Sequence, residues 1–343
     1  MTVKVLVTGG AGFIGSHLVD RLVEMGHYVR VLDNFSTGRV ENLTHHGGVE
    51  VVKGDLKSPA DAWEAVKGVE VVFHFAANPE VRVSTVSPKT HYEENVLATF
   101  NLLEAMRESG VRELVFASSS SVYGEPSVIP VSEDYPTAPV SVYGATKAAC
   151  ENLIHAYSQL YGIKSVVLRY ANVVGPRLRH GVVYDLLMKL ARDRYKLEVL
   201  GDGTQTRSYI YIDDAVDATI AAWRKSQERY SVYNVATYDW IDVKTVVNII
   251  LTELKIDPEV HYKPVLHGVG WPGDVKKVAL DIKKIGRLGF QPKLNSTEAV
   301  RKTVQHLVKE LNLTFTQAHS TSKPLTAPHT TEPSAKLAPN DEL

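Results

Sequence analysis

Apolar residues fill Val3 to Val7, then Ile14, Leu18, Leu22 and Met25 recur at helical spacing, and strand character returns over Val29 to Leu32. A short buried strand, an amphipathic helix and a second strand make a βαβ unit. The alternation continues. Strands are predicted near Val49 to Lys53, Glu70 to Phe75, Leu114 to Ala117 and Ser165 to Arg169, and helices over Leu97 to Ser109 and Ala145 to Tyr161. Strands that alternate with helices pair in parallel, so residues 1–175 are expected to form an α/β domain around a doubly wound parallel sheet. Beyond about Val174 the rhythm changes to short mixed elements, including helices over Ile241 to Leu254 and Ser296 to Leu311. Residues 176–312 are therefore expected to form mainly a smaller mixed α/β lobe over the sheet's carboxyl edge, with about 206–236 returning to the first domain. From Thr314 on, Ser, Thr, Pro, His and Ala dominate without apolar periodicity. That composition cannot offset an ordering cost of roughly 1–2 kcal/mol per residue, so 313–343 is predicted to be a disordered tail.

Composition narrows the function. Hydrophobic residues at 44% and charged residues at 22% are ordinary for a soluble globular chain, and no apolar run approaches the roughly 18 residues of a membrane span. A net charge of -1 without a block of Lys and Arg argues against nucleic acid as a partner. Cys150 is the sole cysteine, which excludes internal disulfides and cysteine-based metal sites. The first residues lack a secretory pattern, so the expected location is cytoplasmic, and the terminal Asn340, Asp341, Glu342, Leu343 is read as a chance likeness to a retrieval signal.

Between the first strand and first helix stands Thr8, Gly9, Gly10, Ala11, Gly12, Phe13, Ile14, Gly15. Gly9 permits a tight turn, Gly12 lets a pyrophosphate approach the backbone and Gly15 lets helix pack on strand, while the helix N-terminus presents partly positive N–H groups. This is the phosphate loop of a Rossmann-type sheet. Asp33 ends the second strand, 18 residues beyond Gly15, where a carboxylate accepts from an adenosine ribose and repels a 2'-phosphate. NAD is favoured over NADP, although Asp33 with Asn34 could instead open a turn, and Arg39 lies close in sequence. Asp55 after the third strand either touches adenine or caps a helix.

Tyr143 and Lys147 are four apart on a helix and share a face. Among sixteen tyrosines about one such pair arises by chance, so its weight comes from its setting: Ser118, Ser119, Ser120 and Ser121 end the preceding strand, where an open parallel sheet binds its ligand. A free phenol has a pKa of about 10, and lowering it to neutrality takes about 4 kcal/mol. The Lys147 ammonium and a positive nicotinamide ring are expected to favour phenolate. Tyr143 would then take a hydroxyl proton while NAD takes the carbon-bound hydride, with a serine hydroxyl steadying the oxyanion. His74 and His91 lack carboxylate partners and metal-ligand spacing, and are read as structural.

On these residues the chain resembles the extended short-chain dehydrogenase/reductase superfamily, and within it the UDP-glucose 4-epimerases of archaeal type. The likeness covers about residues 1–312. It rests on the Thr8 to Gly15 loop, Asp55-Leu56, His74 to Ala77, Asn95, Ser118 to Gly124, Tyr143 to Lys147, Arg169 to Pro176 and Gly201 to Asp214. The resemblance implies Tyr143 as base, Lys147 as cofactor-ribose ligand and Ser119 as hydroxyl partner. It places Phe75, Ala76, Ala77, Ser118 and Tyr170 beside the cofactor, with Asn95 among its residues and supporting the catalytic helix. Ser120, Asn172, Arg207 and Asp274 would meet the substrate, Arg207 at the diphosphate and Asp274 at a ribose or as a plain turn residue. It also implies a homodimer through Leu97 to Ser109 and Ala145 to Tyr161.

Dehydratases and decarboxylases of this superfamily carry an acid just after the serine or threonine, whereas Ser120 and Ser121 stand here. The implied reaction is therefore epimerisation of UDP-galactose and UDP-glucose through transient oxidation at C4, with retained NAD. A dehydratase, decarboxylase or dehydrogenase acting on a nucleotide sugar, and a non-catalytic dinucleotide sensor, are the alternatives. One departure stands out: Trp271-Pro272 precedes Gly273-Asp274 where many relatives have a second diphosphate arginine. Arg82, Arg177, Arg179 or His180 could replace its charge, or the indole could pack on a base or sugar. Val278, at a position where bulk restricts the sugar's C2 substituent, is small and points to tolerance of 2-acetamido sugars.

Overall fold

Val5 and Val7 of the first strand face one side of the central sheet and Leu6 the other, and all three are fully buried. A strand covered on both faces reads as a continuous apolar run, which is the pattern of parallel sheets. The computed structural model describes residues 2–43 and 48–315, so the segment expected to be a disordered tail lies, from 316 on, outside the described residues. β1 (Lys4–Thr8), β2 (Tyr28–Asp33), β3 (Glu50–Lys53), β4 (Val71–His74), β5 (Glu113–Ser119) and β6 (Lys164–Tyr170) form one sheet with the strand Tyr230–Val235. Its order is Tyr230–Val235, β6, β5, β4, β1, β2, β3, and every neighbouring pair is parallel. The chain thus winds outward from β1 in one direction, returns, and winds outward from β4 in the other. Beyond the carboxyl ends of β1 and β4 this reversal leaves a crevice.

α1 (Phe13–Glu24) buries Leu18, Val19 and Leu22 on the Val5 face. The opposite face is covered by α2 (Pro59–Val66), by α3 (Pro88–His91), which passes through a π turn at Tyr92–Leu97 into α4 (Ala98–Ser109), and by α5 (Val142–Tyr161). There Leu102, Met106 and Ile154 pack on Leu6, Val72 and Leu114. α6 (Val182–Arg192), the helices Val243–Leu254 and Ser296–Glu310, and the parallel pair Lys196–Leu200 with Glu259–Lys263 build the other side of the crevice. Helix Ile212–Lys225 and strand Tyr230–Val235 return to the sheet, the helix packing beside α1.

Two boundaries differ from the apolar pattern for local reasons. The helix expected from Ala145 begins at Val142, because the Ser141 hydroxyl accepts from the Gly144 N–H at 3.1 Å and caps it. The helix expected from Ile241 begins at Val243, since Ile241–Asp242 pairs with Thr206–Arg207 and the Asp242 carboxylate caps the next turn through Thr245 N–H at 2.8 Å. Among the described residues no helix is long and apolar enough to cross a membrane, and no group of three or more His, Cys, Asp or Glu is placed to hold a metal.

Behind the crevice a buried ion pair joins α5 to β6. Arg169 Nη2 lies 2.6 Å from Glu151 Oε2 and its Nε donates to Glu151 Oε1 at 3.0 Å. Ser118 Oγ donates to the same carboxylate, and Arg169 Nη1 donates to Tyr123 Oη at 2.9 Å, whose own hydroxyl donates to Asn234 at 2.7 Å. Removing one member of such a pair strands the other charge away from water. Arg169→Met is expected to lose about 3–5 kcal/mol of stability in urea denaturation; a loss below about 1 kcal/mol would show that the pair does not hold these elements together.

Candidate active site

A cavity of about 960 Å³ opens at the carboxyl ends of the strands, near the top of the roughly 300–1,000 Å³ range of ligand clefts. Its sheet side is lined by Gly9, Gly12, Phe13, Ile14 and Gly15, by Asp33 and Asn34 after β2, and by Asp55 and Leu56 after β3. Phe75, Ala76 and Ala77 follow from the end of β4, Ser118 to Ser121 from β5, Tyr143 and Lys147 from α5, and Tyr170 from β6.

The glycines are needed where they stand. Gly9 has φ 68°, and a Cβ on it would lie 2.6 Å from Ala76 N; a Cβ on Gly15 would lie 2.2 Å from Gly9 O. A side chain on Gly9 would push the turn off the end of β4, and one on Gly15 would push α1 off the turn. Gly12 starts α1 without a side-chain cap, which leaves the helix's first N–H groups able to receive an anion. Asp33 is 7% exposed, and its two oxygens accept from Ala11 N–H at 2.9 Å and Phe35 N–H at 2.8 Å. Each oxygen keeps a lone pair for a ribose hydroxyl, and the fixed negative charge disfavours a phosphate there. Asp55 is not a helix cap: Ser58 caps α2 through Asp61 N–H, while Asp55 accepts from Lys57 N–H at 2.9 Å and from Asn34 Nδ2 at 3.2 Å. These features fit a dinucleotide with its pyrophosphate at the turn and its adenosine toward β2 and β3.

Asn95, expected among the cofactor residues and as a support of the catalytic helix, has the contacts of a support and is not among the residues that line the cavity. Its amide donates to Thr146 Oγ1 at 2.9 Å and accepts from Asn78 N–H at 3.0 Å, and it lies behind the cavity wall. It is a strut between the π turn and α5. His74 is saturated at both nitrogens by Thr8 Oγ1 at 2.7 Å and Thr99 Oγ1 at 3.0 Å, and burial lowers its pKa to about 3, which keeps it neutral and structural. His91 packs edge-on against the Tyr143 ring, centroids 5.6 Å apart.

At the centre, Lys147 Nζ donates to Ala117 O at 2.8 Å and stands 6.0 Å from the centre of the Tyr143 ring. Gly144 lets this helix seat directly on the serine turn, because a Cβ there would meet Ser121 O at 2.5 Å. The electrostatics show how much the expected help from Lys147 and a nicotinamide ring has to overcome. Burial pushes the Tyr143 phenol up to about 12, against the downward pull of its hydrogen bond with Ser119. Burial also lowers Lys147 to about 8, with Glu151 one turn on helping to hold its charge. Without a further cation the phenol stays protonated at neutral pH. Glu151 escaped the sequence reading, although its place four residues beyond Lys147 puts it on the same helix face.

On the other side Asn172, Arg207 and Asp274 all line the cavity, as does Ser120. Arg207 Nη2 donates to Asp274 at 2.8 Å and its Nη1 to Thr206 O at 2.8 Å, so the two sequence-selected residues meet each other. The four groups offered in place of the missing arginine line the cavity too, and the three arginines among them are engaged. Arg82 is held by Glu80 and Asp185, Arg177 by Asp20 and Ser16, and Arg179 by Glu310. Burial lowers the pKa of His180. Trp271 lines the wall with its indole nitrogen buried and unpartnered, and so contributes ring surface.

A glycine turn at the switch point, an acid ending β2, and a tyrosine and lysine one helical turn apart beside a serine define an enzyme of the dinucleotide-dependent Rossmann class. The chain belongs to the NAD dependent epimerase/dehydratase family, whose model matches residues 5–236. It is 38% identical over 308 residues to the putative UDP-glucose 4-epimerase of Methanocaldococcus jannaschii, covering 88% of this chain and 97% of that protein. A crystal structure of a UDP-galactose 4-epimerase superposes with a TM-score of 0.81 at 47% identity, over 90% of this chain and 99% of the other. The UDP-glucose 4-epimerase of Thermus thermophilus, solved in complex with NAD, does so with a TM-score of 0.80 at 37% identity, over 88% and 98%.

If a cation must arrive before Tyr143 can ionise, NAD binding near neutral pH will release part of a proton. Calorimetric titration of the cofactor-stripped protein in buffers of different ionisation enthalpy is expected to show this release in the parent and its loss in Tyr143→Phe. Equal proton release in the two proteins would place the ionising group elsewhere.

Proposed function

We propose that the protein is an NAD-dependent UDP-sugar 4-epimerase, an isomerase that interconverts UDP-galactose and UDP-glucose by transient oxidation at C4. The observation that carries this reading is the meeting of Tyr143, Ser119 and Lys147 at the end of β5, beside the dinucleotide turn, with no acid following Ser119. Ser120 and Ser121 cannot move a second proton as a carboxyl would. The carboxylates of Glu80 and Asp185, which reach the cavity wall, are engaged by Arg82. This disfavours a dehydratase or decarboxylase.

Bound NAD supplies the site with a positive ring and a reversible hydride acceptor. Tyr143, once ionised, takes the proton of the C4 hydroxyl, and Ser119 donates a hydrogen bond to the developing oxyanion. Lys147 holds a cofactor ribose and adds its charge beside the phenolate. Rotation of the 4-keto sugar in the cavity presents its other face, and Tyr143 returns the proton to O4. Arg207, turning from Asp274, grips the diphosphate through its planar fork. Asn172 and Asp274 orient the nucleotide sugar, and Trp271 offers an apolar face where a second charge is missing.

The purified protein is expected to convert UDP-galactose to UDP-glucose without added NAD, and Tyr143→Phe to lose roughly 10²–10⁴-fold in rate, followed by anion-exchange chromatography. Absence of conversion with and without NAD, in folded protein of verified cofactor content, would contradict the reading. Val278, small and 7% exposed on the cavity wall, leaves room beside the sugar, so UDP-GlcNAc should be epimerised as well. Undetectable turnover of UDP-GlcNAc alongside good turnover of UDP-galactose would remove that extension.

The reading includes a cytoplasmic homodimer. Phe100 on α4 and Leu160 and Tyr161 on α5 are exposed at 41%, 72% and 41%, which supports pairing of these helices across a two-fold axis.

A further inference from the structure

At the end of the cavity beside Tyr143, one guanidinium is held by two carboxylates. Arg82 Nε and Nη2 each donate to Glu80 at 2.8 Å, a bidentate pair, and Nη2 also lies 3.2 Å from Asp185 Oδ2. Glu80 and Arg82 follow β4, while Asp185 stands in the first turn of α6, so the contacts bridge the cavity. Ser84 accepts from Tyr143 N–H at 3.1 Å, which fixes this segment to the start of the catalytic helix and hence beside the reacting end of a bound sugar. Glu80, Arg82, His180 and Asp185 all line the cavity, as does Glu94, which accepts from Asn78 Nδ2 at 3.1 Å. The Arg82 fork is thus filled by Glu80 and shared with Asp185, with Lys189 also acting on Asp185.

We propose that Glu80 and Asp185 select for an uncharged sugar by occupying the fork of Arg82. This rests on the reading that the cavity holds a nucleotide sugar. A sugar bearing a carboxylate, a uronate, is recognised best by a bidentate guanidinium. Here Glu80 already fills that geometry. A uronate entering this end would have to displace it and would leave like charges crowded in a partly desolvated space. A neutral hexose meets no such conflict, and the pinned side chains present it with a fixed wall. Burial raises the Asp185 carboxyl while Arg82 opposes the rise, and the Arg82 fork pulls Glu80 down, so Glu80 is the acid most firmly held in the fork.

The test uses NAD-loaded protein in the Tyr143→Phe background, so that ligands bind without being converted, and measures UDP-glucose and UDP-glucuronate affinities by calorimetry. UDP-glucuronate is expected to bind at least roughly tenfold more weakly in this parent. Adding Glu80→Gln should narrow that ratio by roughly tenfold, and adding Arg82→Met to Glu80→Gln should abolish the gain. Asp185→Asn provides a second release of Arg82 should Glu80→Gln fail to fold. Equal affinities in the parent, or an unchanged ratio in a folded variant that keeps its NAD, would overturn the proposal. Because the readout is binding, a lack of epimerase turnover would count against the reaction and not against this selectivity.

Discussion

Burial of the Tyr143 phenol is the constraint around which the site is arranged. A hydroxyl pushed up to about 12 is inert as a base at neutral pH, and bringing it near 7 takes roughly 7 kcal/mol. A single charge at about 4 Å contributes about 4 kcal/mol at an effective dielectric constant of about 20. The Lys147 ammonium, 6.0 Å from the ring centre, and the positive ring that NAD supplies both favour phenolate. The same desolvation strengthens each charge placed beside the phenol. Base strength is thereby coupled to cofactor occupancy.

The scaffold serves this coupling. The reversal of winding between β1 and β4 opens the crevice, Gly9 lets the turn close against the end of β4, Gly15 lets α1 start against that turn, and Gly144 brings α5 onto the serine turn. Glu151 and Arg169 then fix β5, α5 and β6 relative to one another from behind, with Glu151 also supporting the charge of Lys147. Structural and catalytic charges thus share one helix face. On the substrate side Arg82, Arg177, Arg179 and Arg207 are each paired with a carboxylate in the protein. Arg207 is held by Asp274, and Arg82 by Glu80 and Asp185.

Much of this was legible in the chain because it depends on periodicity and on residue types that local geometry demands. The six strands from β1 to β6 showed as apolar runs separated by helical patterns, and the glycine turn, Asp33, Tyr143 and Lys147 stood at spacings with a physical meaning. Partnerships between distant segments were not legible. Nothing in the order of residues joins Arg82 to Asp185, Arg207 to Asp274 or Arg177 to α1, and these contacts show which arginines are already paired. The expected help from Lys147 to Tyr143 was incomplete for a related reason. Sequence spacing places two charges on one face but does not weigh their attraction against the loss of water around them. The π turn before α4 was likewise invisible, since it alters helical phase by a single residue at the point where Asn95 reaches Thr146.

The central claim is that C4 of a UDP-sugar is oxidised and reduced again within one cavity, with Tyr143 moving the O4 proton. It is tested most directly by supplying UDP-galactose deuterated at C4 in ordinary water and locating the label in the product by nuclear magnetic resonance. The account predicts UDP-glucose that keeps deuterium at C4, formed more slowly than from unlabelled sugar. Exchange of the label with solvent, or inversion with the label at another carbon, would contradict it.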